Sequence, residues 1–192
     1  MHVNFTNITM KKITFILKLY VLSCFAICLN SCSFAQVEKP ITANIADQYQ
    51  CLPCGQDCDN EVYTIPGKCS HCHMDLVKKS TVTFKTISPA EICGYIQKHP
   101  NVVLLDVRTK EEFEGKADPN FGSLKNAINI PIQSLKTLLS EISHLKNKEI
   151  IVYCSHSHRS PQASYILTQN GFQNVANMSG GMSVMKDNSC VK

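Results

Sequence analysis

The sequence predicts an α/β fold, a central parallel sheet flanked by helices, with a small N-terminal module of the metal-ribbon kind. Three observations carry this. From Thr81 onward, short β-rich apolar runs alternate with stretches that open on capping signals and place apolar residues at helical spacing, the pattern of strand–helix–strand units. Two of the runs, Val102–Leu105 and Ile150–Tyr153, are apolar throughout instead of alternating, as strands covered on both faces are. Upstream, two Cys-x-x-Cys pairs, Cys51/Cys54 and Cys69/Cys72, crowd a segment too short to bury a core unaided.

The elements follow in order. "TVTFKTI" (81–87) is a strand. "SPAEICGYIQKHP" opens with a capping box, Ser88 to Glu91, and puts Ile92, Tyr95 and Ile96 on one helical face. "VVLLD" is a buried strand, and "TKEEFEG" repeats the capping box with Thr109 and Glu112 before stopping at Gly115. "AINIPI" is β-like, and "LKTLLSEISHL" spaces Leu135, Leu138, Leu139, Ile142 and Leu145 as a helix. "EIIVY" (149–153) is a strand that ends against Cys154. Ser160 and Pro161 then supply a hydroxyl N-cap and a first-turn proline for a helix closing at Asn170-Gly171. A last strand near Val175 precedes "SGG". Cys154 therefore stands at the carboxyl end of a strand facing a helix start, where open α/β sheets bind ligands.

The 192 residues allow one ordinary domain and something small, and a net charge of +4 with no dense basic run argues against nucleic acid as a partner. Eleven cysteines imply metal, disulfide or thiol chemistry. From Met10, "MKKITFILKLYVLSCFAICLNSC" has two lysines, a hydrophobic run and a small residue before Cys32, the layout of a secretory signal. "LNSC" also resembles the lipobox of bacterial lipoproteins, which implies acylation of Cys32, a membrane tether through the lipid, and a location on the periplasmic side of the cell envelope. An uncleaved membrane anchor is the alternative. The resulting organisation is a signal peptide over 1–31, a linker over 32–48, a cysteine module over 49–80 and an α/β domain over 81–192.

The module's two knuckles let Cys51, Cys54, Cys69 and Cys72 converge on one soft ion, zinc or copper. Cys58 leaves the count odd, and a disulfide-stapled knob is the competing reading. The module resembles the heavy-metal-binding module of metal-efflux proteins at Tyr49, Cys51, Pro66, Gly67, Cys69, Cys72, Met74, Leu76 and Val77. It departs from it at Pro53-Cys54, where Met-His is usual, and at His73, where glycine is usual.

"LLDVRTKEEFEGK", "AINIPI", "IIVYCSHSHRSPQAS", "GFQNV" and "MSGGM" occur in the order of a rhodanese-like sulfurtransferase domain, which the stretch from about Ile87 to Met185 resembles. The resemblance implies a central parallel sheet and a loop whose cysteine carries sulfur as a persulfide. Three departures stand out: Ser157 and Asn126 where glycine is usual, and Met185 where tryptophan is common. Ser157 bears on the anion cradle, because glycine accepts positive φ far more readily, whereas the other two are read as packing differences.

Sulfur transfer needs Cys154 as a thiolate. The loop Ser155, His156, Ser157, His158 and Ser160 offers backbone N–H groups and a helix terminus, and Arg159 a fixed charge. His156 and His158 read as solvent-facing, Asp106 and Arg108 as structural, and Cys93 and Cys190 as incidental thiols. The expected activity is a tethered sulfurtransferase that takes sulfane sulfur from a small donor, thiosulfate or a persulfide, and passes it to a thiol or cyanide with no cofactor required for the transfer. Phosphatase or arsenate reductase chemistry is a lesser reading, since those loops place five residues between cysteine and arginine, one more than here. A non-enzymatic alternative is a metal-handling lipoprotein that uses the domain as a binding platform.

Overall fold

The computed structural model describes residues 47–192. Cys32, "LNSC" and the apolar run before them lie outside these residues. Among the described residues, no helix is long and apolar enough to cross a membrane.

Five strands form one parallel sheet in the order β3 (Lys85–Ile87), β7 (Asn174–Met178), β6 (Glu149–Tyr153), β4 (Val103–Asp106), β5 (Ile128–Asn129). The expected mixed α/β class with a central parallel sheet is what the chain adopts. β6 is the middle strand, in register with Val103–Asp106 on one side and with Asn174–Asn177 on the other. Its residues alternate between faces. Ile150 and Val152 join a core with Leu135 of α3 (Ile132–Leu138) and Ala163 and Leu167 of α4 (Arg159–Gln169). Ile151 and Tyr153 join Ile92 and Cys93 of α1 (Ile92–Lys98) on the opposite face.

Both faces being covered explains why β6 is apolar at every interior position. α2 (Lys110–Phe113) is a single turn. It exists because of its cap: Glu112 N–H donates to Thr109 Oγ1 and the Glu112 carboxylate accepts from Thr109 N–H, the capping box expected from the sequence. Two elements are shorter than their patterns suggest. The strand expected over 81–87 is regular only at Lys85–Ile87, since Lys79–Thr81 forms a 3₁₀ turn. The helix expected over "LKTLLSEISHL" ends at Leu138 and resumes as a 3₁₀ turn at Ser143–Leu145.

The cysteine module pairs β1 (Tyr49–Gln50) with β2 (Val77–Lys78) in an antiparallel ladder. A separate core is the natural expectation for such a module, but its buried residues merge with those of the sheet. Cys51, Leu52, Cys54, Cys58, Cys69 and Met74 belong to one apolar cluster with Val107, Val152 and Cys154. Asn177 Nδ2 in β7 donates to Pro53 O of the module at 3.0 Å.

On the far side, Cys93 and Cys190 form a disulfide that ties the C-terminal tail to α1 across 97 residues of sequence. This corrects their reading as incidental thiols. The tail is also paired through backbone bonds, Lys125 N to Cys190 O and Lys192 N to Ser123 O.

Candidate active site

β6 delivers Cys154 to the carboxyl end of the sheet, and the next five residues curl back around its sulfur. Cys154 is 1 % exposed. The Ser157 N–H donates to Cys154 Sγ at 3.1 Å, and Ser160 Oγ lies 3.3 Å from the same sulfur. Ser155, Ser157 and Ser160 are buried, whereas His156 and His158 are exposed. Only the Ser157 amide, of the expected row of loop donors, is aimed at the sulfur at hydrogen-bond range among the described contacts. Ser157 reaches this position with φ of 63°, the left-handed region that favours glycine. Its buried hydroxyl has no hydrogen-bond partner among the described residues.

The loop is locked from below by the glycine pair. Met182 N–H donates to Cys154 O at 2.9 Å and Ser183 N–H to Ser155 O at 3.0 Å. Gly181 makes this approach possible, because a Cβ there would fall 2.5 Å from the Cys154 carbonyl oxygen and 2.4 Å from that of Ser155.

Arg159 does not hydrogen-bond to the sulfur. Its Nη1 donates to Glu112 Oε2 at 2.5 Å and its Nη2 to Glu112 Oε1 at 2.7 Å, with a longer contact to Ser155 Oγ. Ser155 Oγ itself donates to Glu112 Oε1 at 2.7 Å. The Arg159 bonds, with lesser help from the Thr109 amide and the Ser155 hydroxyl, outweigh partial burial and hold the Glu112 carboxyl down at about 2. The charge expected to face the sulfur is thus committed to a carboxylate, which makes Arg159 a positioning residue. Ser160 likewise departs from its expected role. α4 begins at Arg159, with His158 at the N-cap and no side-chain cap, so the Ser160 hydroxyl is left to meet the sulfur.

Asp106 and Arg108 form a buried pair just beneath, with Arg108 Nη2 on Asp106 Oδ2 at 2.6 Å and on Gly122 O at 2.8 Å. At 1 % exposure Arg108 is committed to the Asp106 carboxylate and ties loops together, so it is closed off from any anionic donor in solvent.

In the module, the sulfurs of Cys51, Cys54, Cys58 and Cys72 all lie within 4.8 Å of one another. Cys51 and Cys72 are 3.1 Å apart and Cys54 and Cys58 3.7 Å. A tetrahedral zinc site with Zn–S near ~2.3 Å has sulfurs about 3.8 Å apart, so the group fits a soft ion in size and chemistry. The quartet differs from the one the spacing suggests, because Cys58 stands where Cys69 was expected. Cys69 lies beside Cys58 and Cys72, outside the tight group. Its thiol is pushed up by burial, but the backbone N–H groups of Cys72 and His71 more than offset this and bring it to about 7. Burial, then a bond to Cys72, pushes Cys51 up.

The family model described as the rhodanese-like domain matches residues 90–188. The chain belongs to the rhodanese-like family. Among curated relatives, it is similar to a tRNA uridine(34) hydroxylase of Cytophaga hutchinsonii, 31 % identical over 113 residues, covering 57 % of this chain and 33 % of the relative. It is also similar to the uncharacterised protein YqhL of Bacillus subtilis, 38 % identical over 78 residues, covering 41 % of this chain and 56 % of the relative. A crystal structure of a rhodanese-like domain protein from Staphylococcus aureus is 27 % identical, covers 57 % of this chain and 99 % of that one, and has a TM-score of 0.47. The chain thus spans about a third of the length of the first of these relatives.

Within this rhodanese-like protein one cleft borders both the module and the Cys154 loop, although Cys154 itself is buried and is not part of the lining. A cavity of about 480 Å³ is lined by Cys58, His71 and Cys72 from the module and by His156, His158, Gly180 and Ser183 around the Cys154 loop. Sequence reading missed two participants. Glu112 carried a signal, but for a helix cap. Cys58 carried none, having no Cys-x-x-Cys partner.

Proposed function

We propose that the protein is a membrane-tethered, extracytoplasmic sulfurtransferase that carries sulfane sulfur as a persulfide on Cys154. The observation that carries this reading is the cradle itself: a cysteine sulfur at the carboxyl end of the central strand, 3.1 Å from the Ser157 amide and 3.3 Å from the Ser160 hydroxyl. A thiolate there attacks the outer sulfur of thiosulfate, the S–S bond breaks, and sulfite leaves with its electron pair. The persulfide anion inherits the same two donors. A thiol or cyanide then attacks the outer sulfur and returns Cys154 to the thiolate. Arg159 and Glu112 take no part in these bonds. They fix Ser155 and the loop turn through which the amide is aimed.

The ring is small. Four residues separate Cys154 from Arg159, and the arginine is occupied, which suits a single sulfur better than a tetrahedral oxyanion. The hydroxylase activity of the Cytophaga relative is not carried over, because the match spans a third of that protein.

Cys51, Cys54, Cys58 and Cys72 would hold a zinc or copper ion, which when bound supplies a cross-link between the module's knuckles. The envelope location rests on "LNSC" with Cys32 as the acylated residue. It is also favoured by the Cys93–Cys190 bond, since disulfides persist in oxidising compartments.

The test is a mass spectrum of the reduced protein after incubation with thiosulfate. The expected result is one added sulfur atom on the peptide bearing Cys154, lost in Cys154→Ser. Absence of any added sulfur with thiosulfate and with small persulfide donors overturns the proposal.

A further inference from the structure

The cleft raises the question of where the sulfur goes next. Its lining includes His156 and His158 from the loop that holds Cys154 and Cys72 from the module, and Cys72 packs against the apolar cluster to which Cys154 belongs. Cys72 is half-buried, unlike Cys51, Cys54, Cys58 and Cys69, which are closed off, so it is the module sulfur best presented to the cleft. Behind it, Cys51 Sγ stands 3.1 Å from Cys72 Sγ, about an ångström beyond a disulfide bond of ~2.05 Å. A carrier cysteine whose loop borders the cleft, a module thiol in the cleft lining and a second thiol almost in bonding range are the parts of a relay. Forming the persulfide adds one S–S length, about 2 Å, to the reach of Cys154.

We propose that Cys72 is the first acceptor of the Cys154 sulfur and that Cys51 resolves it, so that the module acts as a built-in dithiol releasing the sulfur as hydrogen sulfide. This rests on the persulfide reading of Cys154. In the first step the Cys72 sulfur attacks the outer sulfur of the persulfide. A bond forms between them, the bond to Cys154 Sγ breaks, and the electron pair stays on Cys154. In the second step Cys51 Sγ attacks Cys72 Sγ, and the outer sulfur leaves with the electron pair and the thiol protons. The two thiols are oxidised to a Cys51–Cys72 disulfide, and the sulfane sulfur is reduced to sulfide. Thiosulfate and two thiols thus give sulfite, hydrogen sulfide and one disulfide. One round needs no other reductant, and each further round needs an external thiol or dithiol to reopen the disulfide. A metal ion on Cys51 and Cys72 occupies both sulfurs, so the relay belongs to the metal-free chain.

The experiment is a single turnover on the full chain, treated with chelator, reduced, freed of reductant and mixed with one equivalent of thiosulfate. Sulfide is measured by trapping and the cysteines by peptide mapping. The expected result is close to one equivalent of sulfide with a Cys51–Cys72 disulfide. In Cys72→Ser, sulfide falls at least tenfold and the added sulfur remains on Cys154. In Cys51→Ser, the added sulfur is found on Cys72. Prior loading with zinc suppresses sulfide release while Cys154 still gains sulfur. A stable Cys154 persulfide in the unsubstituted protein, with no sulfide and no new disulfide, overturns the relay and leaves the sulfurtransferase reading standing. Failure of Cys154 to gain sulfur in every form overturns both.

Discussion

Arg159 and Glu112 face each other as a two-pronged pair under the Cys154 loop, at 2.5 and 2.7 Å, and Ser155 Oγ adds a third donor to the same carboxylate. The pair links α4 to the capped turn of α2, so it sets the path of the loop between them.

Glu112→Gln and Arg159→Gln should each slow persulfide formation by roughly tenfold, about 1.4 kcal/mol in the barrier. The double substitution should cost little more than either one, because the partners act as a unit. Arg159→Lys should not restore the rate, since an ammonium cannot make two parallel bonds to a carboxylate. Single-turnover kinetics with thiosulfate measure all four variants. Additive losses would show that Arg159 acts on the sulfur by a route independent of Glu112.

Acid should release the same clamp. Glu112 titrates at about 2 in the folded chain, against about 4.3 for an unperturbed glutamate. A carboxyl lowered on folding stabilises fully above its unfolded value and loses that contribution as pH falls towards the folded one. The effect, on the order of 2 kcal/mol, should therefore fade between about pH 4.3 and pH 2. Thermal melts across this range should fall more steeply for the unsubstituted protein than for Glu112→Gln. Parallel curves would mean that the pair contributes nothing to stability.

Ser157→Gly should stabilise the protein by about 1 kcal/mol and leave transfer unchanged or faster. Relief of a left-handed residue contributes about 1–2 kcal/mol, and removal of the unpartnered buried hydroxyl adds to it. The greater freedom of glycine in the unfolded chain subtracts roughly 0.5–1 kcal/mol. Denaturant titration decides the sign. A loss of stability would place the Ser157 hydroxyl in a bond that compensates its backbone.

This residue shows what the sequence made legible. His73, Asn126 and Ser157 all have positive φ, at 58°, 63° and 63°, and all three stand where the resembled families carry glycine. The backbone demand survived the substitution, so the departures marked turns. Asn126 reads as a packing change in the sequence, and only the dihedral exposes it as a backbone position. The sheet and its connections were legible for a similar reason, since strand burial and capping are local. Pairings were not. Glu112 lies 47 residues from Arg159, Cys93 lies 97 from Cys190, and neither separation leaves a periodic trace. Cys58 meets Cys54 across a turn whose geometry no spacing rule encodes.

The Cys93–Cys190 bond should stabilise the fold by about 2–4 kcal/mol, the range for a cross-link closing a long loop. Cys190→Ser should lower the thermal midpoint accordingly and free the tail, whose Lys192 and Ser123 backbones pair with each other. Hydrogen exchange at Lys125 and Lys192 should rise by more than tenfold while Cys154 keeps its reactivity. Unchanged exchange would mean that the tail's backbone bonds and buried contacts suffice to hold it.

The last prediction concerns the metal quartet and the shared core. Cys58→Ser should weaken zinc or copper(I) binding at least tenfold, comparably to Cys51→Ser, because both sulfurs belong to the group within 4.8 Å. Cys69→Ser should weaken it less, its sulfur standing outside that group. A module with its own core would melt alone when the ion is withdrawn. Here the buried cysteines share a cluster with Val107, Val152 and Cys154, so loss of the ion should lower the melting of the sheet as well, in one transition. Competition with a chromophoric chelator gives the affinities, and hydrogen exchange resolved by segment gives the melting. An ion whose removal exposes only residues 49–80, with β6 and β7 still protected, would show that the contact at Pro53 joins two independently stable parts.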